Sequence, residues 1–379
     1  MSLPLGPAAA ARRLADDLRA RFDALLEDPQ AYARRVPAEC GAFPEGDLLP
    51  FVFPALAYAL DAVDHPARAA RNLARLAPLV DAAVPPVARR VRPPGGRLER
   101  LADYGQHAVY LGQLALALGA WRLAGGDGRW DALHGALGDV LHEALVRAGG
   151  RPLRSFPHAT WPFDTVPVLV ALALLDRARG DGRSAAAIAR HLEWVDAHAT
   201  DGALGLPLSH LAGEPGGGRV VPRGCDLAYR AWLLAMIDPA RARRTYRAFC
   251  RHFWIERGVL AGFAEWPHGR NLGQDADSGP VVLGMGLAAT GFGIGAARVM
   301  GDGWRLGRLL FQLSSANAIF TAVRPVVERH YPFDRRYVTG SLMGDACVFA
   351  MAAWSGRPSP VSSATPPGAP PGAPGPIIR

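Results

Sequence analysis

Between its Gly and Pro breaks the chain reads as a succession of helix-length segments in which apolar residues recur at three- and four-residue spacing. Twelve such segments fall near 10–28, 47–63, 67–84, 99–124, 128–147, 162–179, 183–198, 224–237, 239–255, 279–300, 302–318 and 340–354. Almost no stretch alternates with the period of a strand, so the pattern predicts an all-α protein. Asp238-Pro239, Gly180-Asp181-Gly182 and Gly301-Asp302-Gly303 are helix-boundary signals at three of the breaks.

The segments also alternate in character. Odd-numbered ones are amphipathic and Arg-rich, as in Ala67 to Arg75 and Arg241 to Arg247, and predict helices with one wet face. Even-numbered ones are apolar nearly all round, as in Val166 to Leu175, Leu227 to Ile237, Val281 to Ala297 and Leu342 to Ala353, and must be covered on every side. Six covered helices alternating with six half-exposed ones predict an (α/α)6 barrel, with the helices beginning near 47, 99, 162, 224, 279 and 340 as its inner ring. An irregular multi-helix bundle or an α-solenoid is the plainer alternative; the lack of a recurring motif of about 30–45 residues weighs against the solenoid. The barrel is read as one domain over 1–355. The Pro/Gly-rich run over 356–379 is too poor in bulky apolar groups to fold and predicts a disordered tail.

Half of the 379 residues are hydrophobic, which allows a large core. The net charge of +8 raises nucleic acid as a partner, but the chain has no Lys, and its 42 Arg are scattered beside Asp and Glu. That dispersion, which fits a GC-rich codon bias, argues against a phosphate-binding stripe. Cys40, Cys225, Cys250 and Cys347 form no CxxC pair, so reduced thiols are expected. The N-terminal charges follow a short Ala stretch, the wrong order for a secretory signal. The longest apolar run, Leu48 to Leu60, falls short of the roughly 20 residues a membrane span needs. A soluble cytoplasmic protein without a membrane span is the expectation, with its oligomeric state left open.

Candidate chemistry gathers where the apolar helices begin. Glu45 and Asp47 precede the first; Asp103, Tyr104 and His107 the second; His158, Trp161 and Asp164 the third. Arg223, Cys225, Asp226 and Tyr229 open the fourth; Glu265, Trp266, His268, Asp275 and Asp277 precede the fifth; Arg335, Arg336, Tyr337 and Asp345 flank the start of the sixth. In a barrel these ends meet at one mouth, where aromatic walls and buried carboxyls make an acid/base pocket. A helix cap is the ordinary role of any one of these acids. Asp164, in Trp161-Pro162-Phe163-Asp164, is the candidate proton donor, because flanking rings desolvate it and favour its neutral form. Asp277, Glu265 or His107 is the complementary base, His107 being oriented by Asp103 one turn earlier. Trp161, Tyr104, Asp103, Trp266, His158, Asp226, Tyr229, Asp275 and Tyr337 are assigned to substrate binding.

Three other motifs fail on context. Asp275-x-Asp277-x-Gly279 starts like a calcium loop, but its twelfth position is Gly286 where a Glu is required. His191 and His198 face water on an amphipathic helix, and no HExxH occurs, so no metal is expected. Gly284-x-Gly286-x-x-Ala289 imitates a dinucleotide fingerprint without the surrounding βαβ units, so no cofactor is expected; its glycines serve close helix packing instead.

Tyr110-Leu111-Gly112-Gln113-Leu114, Trp-Pro-x-Asp at 161–164 and the Glu-Trp-Pro to Asp-x-Asp-Ser-Gly-Pro run at 265–280 resemble the linalool dehydratase-isomerase-type family of (α/α)6 barrels over roughly residues 100–300. A family His falls where this chain has Gln113. The resemblance implies cofactor-free protonation and deprotonation of a small isoprenoid alcohol in a pocket of His, Asp, Tyr and Cys. The leading expectation is therefore a cofactor-independent lyase, isomerase or cyclase acting on an apolar or terpenoid-like small molecule. The alternative is a carbohydrate-active enzyme, a glycoside hydrolase or uronate epimerase with paired carboxylates. A non-catalytic helical binding scaffold is the third reading.

Overall fold

A computed structural model describes residues 6–327, 334 and 336–356. The tail expected over 356–379 lies, from 357 on, outside the described residues, as does Arg335. In chain order the helices are α1 (Pro7–Leu25), α2 (Pro29–Cys40), α3 (Leu49–Asp64), α4 (Ala69–Val91), α5 (Ala108–Leu123) and α6 (Asp131–Arg147). They continue as α7 (Thr165–Arg179), α8 (Ala185–His198), α9 (Gly224–Leu234), α10 (Pro239–Phe253), α11 (Leu287–Met300), α12 (Gly303–Val327) and α13 (Leu342–Ala353). Helices α3, α5, α7, α9, α11 and α13 each pack on the next, and α13 closes back on α3. Outside this ring run α1, α4, α6, α8, α10 and α12, which completes an (α/α)6 barrel.

The two rings differ in the way the polar pattern requires. All residues from Val166 to Leu175 of α7 are buried. Helix α10 buries only Ala242, Thr245, Tyr246, Phe249, Cys250 and Phe253, a single stripe at helical spacing, and leaves most of its Arg residues outside. The tightest seam of the inner ring, α5 against α7, depends on two glycines one heptad apart. A Cβ at Gly112 would sit 2.7 Å from Val168 Cγ2, and one at Gly119 would sit 2.9 Å from Leu174 Cβ.

Three departures from the sequence pattern have local causes. Helix α2 interposes a thirteenth helix between outer α1 and inner α3; Asp28 caps it by accepting from the Ala31 N–H at 2.9 Å. After a single 3-10 turn at Leu98–Arg100 the segment 101–107 is not helical, because Gly105 and Gln106 take positive φ of 56° and 59°, and α5 starts only at Ala108. The third concerns 279–286. Among the described residues three two-stranded antiparallel ribbons occur: β1 (Thr200–Asp201) with β2 (Leu206–Pro207), β3 (Trp254–Arg257) with β4 (Leu260–Phe263), and β5 (Val281–Val282) with β6 (Met285–Gly286). Leu283 and Gly284, at φ 53° and 85°, make the β5/β6 turn, so the glycine-rich run is a hairpin leading into α11.

The α5/α7 seam has a direct test. Gly112→Val is expected to cost about 1–3 kcal/mol by overpacking. Gly303→Ala, whose Cβ meets nothing within 4 Å in the first turn of α12, is expected to leave stability equal or higher. Equal thermal melts for wild type and Gly112→Val would show that this seam has room to give.

Candidate active site

The segment before α7 is pinned from both sides. The Leu153 N–H donates to Thr165 Oγ1 at 2.9 Å, the Trp161 N–H to Ser155 Oγ at 2.9 Å, and the Thr160 N–H to the Pro215 carbonyl at 3.1 Å. Pro162 opens a single 3-10 turn, Pro162–Asp164, and α7 follows. The Asp164 side chain makes no capping bond to that helix. It is half-buried, with the Ser155 hydroxyl as hydrogen-bonding neighbour, and burial pushes its carboxyl up to about 7, helped by the charges of Asp277 and Asp226.

Glu45, in the turn before α3, shares this place. The Tyr110 hydroxyl of α5 donates to the Pro44 carbonyl at 2.6 Å and holds that turn over the barrel end. Burial first, then the nearby charges of Asp164 and Asp277, push Glu45 up to about 8. Carboxyls from before α3, before α7 and before α11 are thus within electrostatic reach of one another.

Asp277 belongs to a second cluster built on Arg223, which directly precedes α9. Its Nη1 donates to Asp277 Oδ2 at 3.2 Å, its Nη2 to Asp275 Oδ1, and its Nε to Glu265 Oε1. The guanidinium lies over the Trp266 ring, 5.4 Å from its centroid. Burial raises Asp277, while Arg223 pulls it back toward the ionised form. Glu265 has no exposed surface, also accepts from Cys225 Sγ at 3.2 Å, and is boxed in by Gly286, where a Cβ would come within 2.7 Å of Oε2. Burial pushes Glu265 up to about 7 against the pull of Arg223.

The structure sorts the sequence-predicted residues. It puts Asp164 and Asp277 within electrostatic reach of each other and joins to them Glu45 and Arg223, which the helix-end pattern includes without giving either a role. Glu265 is walled off and supports Arg223, so it does not face the mouth as a base. The expected Asp103–His107 dyad does not form. Asp103 is exposed and accepts from the Gly105 N–H at 2.6 Å, while the buried His107 Nδ1 has no partner among the described residues. Burial and His158 push the half-buried His107 down, toward the neutral imidazole.

Trp161 is half-buried against Phe156, and His158 is exposed and stacks on Phe156. Tyr104 is half-buried. Trp266 is buried, with Nε1 donating to the Gly273 carbonyl at 2.7 Å, so it is a wall rather than an open platform. Asp226 is buried and accepts from Arg230 Nε at 3.1 Å, which removes it from substrate binding. Tyr229 is buried in the barrel floor between Phe53, Phe163 and Phe292. Tyr337 is also buried, away from the carboxyls, where its hydroxyl donates to Glu39 Oε2 of α2 at 2.7 Å. Asp275 is half-exposed and caps the Asp277 and Ser278 N–H groups at 3.0 Å each. Neither Asp277 nor Ser278 caps α11, which begins at Leu287. All four cysteines are unpaired and buried. Among the described residues no helix is long and apolar enough to cross a membrane, and no group of three or more His, Cys, Asp or Glu is placed to hold a metal ion.

Two variants test this geometry. Asp226→Asn leaves the Arg230 charge buried without its partner and is expected to cost about 3–5 kcal/mol in a denaturant melt; a change below about 1 kcal/mol would overturn the pairing. Folded Glu45 keeps its proton up to about pH 8, whereas the unfolded chain releases it near 4.5, so the wild type loses stability as pH rises through that window. Glu45→Gln stays neutral in both states. Relative to wild type it is expected to be more stable at pH 8 than at pH 4; an equal difference at both values rules out the raised Glu45.

No family model matches this chain, and no curated protein matches it. Among solved structures it is similar to a family 76 glycoside hydrolase from a bovine Bacteroides thetaiotaomicron strain, at 12% identity and a TM-score of 0.44, over 80% of this chain and 67% of that one.

Proposed function

We propose that the protein is a cofactor-independent acid/base enzyme acting at the barrel mouth, with Asp164 as proton donor and Asp277 as base. The observation that supports this is the meeting of Asp164 and Asp277 in unlike surroundings. Asp164 is raised to about 7 with a hydroxyl as its hydrogen-bonding neighbour, while Asp277, also raised by burial, is hydrogen-bonded by a guanidinium that favours its anion. Two carboxyls kept in opposite protonation states are what concerted proton transfer requires. Glu45, raised further, adds little negative charge near neutral pH and leaves the pair free to divide the roles.

The rim favours a hydroxyl-rich substrate. Asp275 and Asp277 are half-exposed and His158 is exposed, beside the half-buried rings of Trp161 and Phe156. A sugar fits that combination of wet carboxylates and flat apolar faces. Asp164 would protonate the glycosidic oxygen as the bond to the anomeric carbon breaks, and Asp277 would stabilise or activate the incoming nucleophile. The second reading, dehydration or isomerisation of a small isoprenoid alcohol as in the linalool dehydratase-isomerase-type family, is favoured by the floor. There Phe53, Phe163 and Phe292 surround Tyr229 and offer an apolar body many contacts. In that reaction Asp164 protonates the hydroxyl, water leaves, and Asp277 takes a proton from the adjacent carbon.

A panel of aryl glycosides and a panel of monoterpene alcohols, each incubated with the full chain, separate the two. On whichever is turned over, Asp164→Asn is expected to lower kcat by roughly 10²- to 10⁴-fold with the melting temperature nearly unchanged. Because the acid must be protonated, kcat/KM of the wild type should fall as pH rises through about 7. Full activity of Asp164→Asn would end the proposed mechanism.

A further inference from the structure

The inner ring is not uniformly tight. Helices α7 and α9 form its loosest joint, and α8, the outer helix between them in sequence, packs mainly on α6 and on strand β1. A cavity of about 240 Å³ lies between α8, α9, α10 and the β1/β2 ribbon, on the flank of the barrel. Leu192, Val195, Pro207 and Leu234 supply its apolar wall. Its charged lining is lopsided: the side chains of Arg230, Arg241 and Arg244 against the single carboxylate of Asp196.

The three guanidinium groups are not equally engaged. Arg241 is engaged through Nε, which donates to Asp238 Oδ2 at 3.2 Å, and through Nη1, which donates to the Leu192 carbonyl at 3.0 Å and to Asp196. Arg230 is 1% exposed and bonds Asp226 through Nε, yet its buried Nη2 has no partner among the described residues. Arg244 is exposed and makes no ion pair among the described residues. A buried guanidinium nitrogen without an acceptor is costly, and an anion is the group that relieves it.

We propose that this cavity is a binding site for a small organic anion, a carboxylate or phosphate group carried on a short apolar body. Arg230 and Arg244 receive the charged end, since guanidinium groups match the oxygen pairs of carboxylate and phosphate. Leu192, Val195 and Leu234 cover the apolar end. The cavity is smaller than the roughly 300–1,000 Å³ of sites for drug-sized ligands, which limits the occupant to a small molecule. Through Arg230 the site reaches toward Asp226 and Asp164, but it rests on none of the chemistry proposed for the mouth carboxyls.

Isothermal titration of the full chain with inorganic phosphate, and separately with butyrate, at an ionic strength held constant with sodium chloride, tests the site directly. Saturable binding of phosphate assigns the charged end to a phosphate, and binding of butyrate assigns it to a carboxylate. Arg244→Gln is expected to weaken the bound probe about tenfold, the loss of one charge-assisted hydrogen bond. Asp196→Asn, which removes the opposing charge, is expected to tighten it several-fold. Both positions are exposed, so neither change threatens the fold. Arg243→Gln, one residue away and outside the lining, is the control and is expected to leave binding unchanged. Failure of both probes to bind saturably overturns the site. So does an equal weakening by Arg243→Gln and Arg244→Gln, which would reduce the effect to general surface charge.

Discussion

The guanidinium of Arg223 reaches Glu265, Asp275 and Asp277 at once, and one side of the barrel mouth is assembled around that convergence. It ties three pieces of chain distant in sequence: the start of α9, the second residue past β4, and the loop before β5. The Gly224 N–H adds a bond to the Glu265 carbonyl at 2.8 Å, and Gly224 has no room for a side chain, because a Cβ would lie 2.1 Å from the Ala264 carbonyl oxygen. Three carboxyls against one guanidinium leave an excess of negative charge, and burial resolves it by favouring a proton on Glu265. Glu265 therefore serves best as a covered strut that keeps Arg223 aimed at Asp277.

The alternation of wet and dry helices was legible because α10 and its counterparts carry apolar residues at helical spacing and Arg elsewhere, whereas α7 carries Arg only in its last turn. A covered helix has no polar face to hide, and that property survives without coordinates. Helix α2 was not legible: it falls in the gap between the segments near 10–28 and 47–63, and its Pro29 occupies the first turn, where its missing N–H costs nothing. The residues at 99–107 and 279–286 keep an apolar rhythm that argues for helix. Positive φ at Gly105, Gln106, Leu283 and Gly284 overrides it.

At the mouth, sequence position marked helix ends but did not distinguish their acids. Asp164 and Asp277 stood out because each lies in an aromatic or polar run before an apolar helix. Glu45 did not, since its raised proton affinity comes from burial and from Asp164 and Asp277, which only the closed ring brings near it. Glu265 and Asp277 look equivalent in the chain. They differ in covering: Glu265 is sealed by Gly286, Cys225 and Arg223, whereas about half of the Asp277 side-chain surface is open.

Three inner helices begin beside an aspartate, and comparing them shows why only Asp164 suits proton donation. All three carboxyls are pushed up by burial, and each helix start contributes a positive dipole end that favours the anion. Asp345, in the first turn of α13, accepts from the Thr339 N–H at 2.8 Å and the Val338 N–H at 3.1 Å. Asp226, in the first turn of α9, accepts from a guanidinium within its own helix. Charged and backbone donors of this kind compensate a buried anion, so both are fastened in place as parts of the scaffold. Asp164 accepts from neither kind, and the Ser155 hydroxyl and the more distant Arg230 charge are weaker counterweights. Where compensation is least, burial wins, and the carboxyl left with a transferable proton near neutral pH is the one that no charged or backbone donor fastens in place.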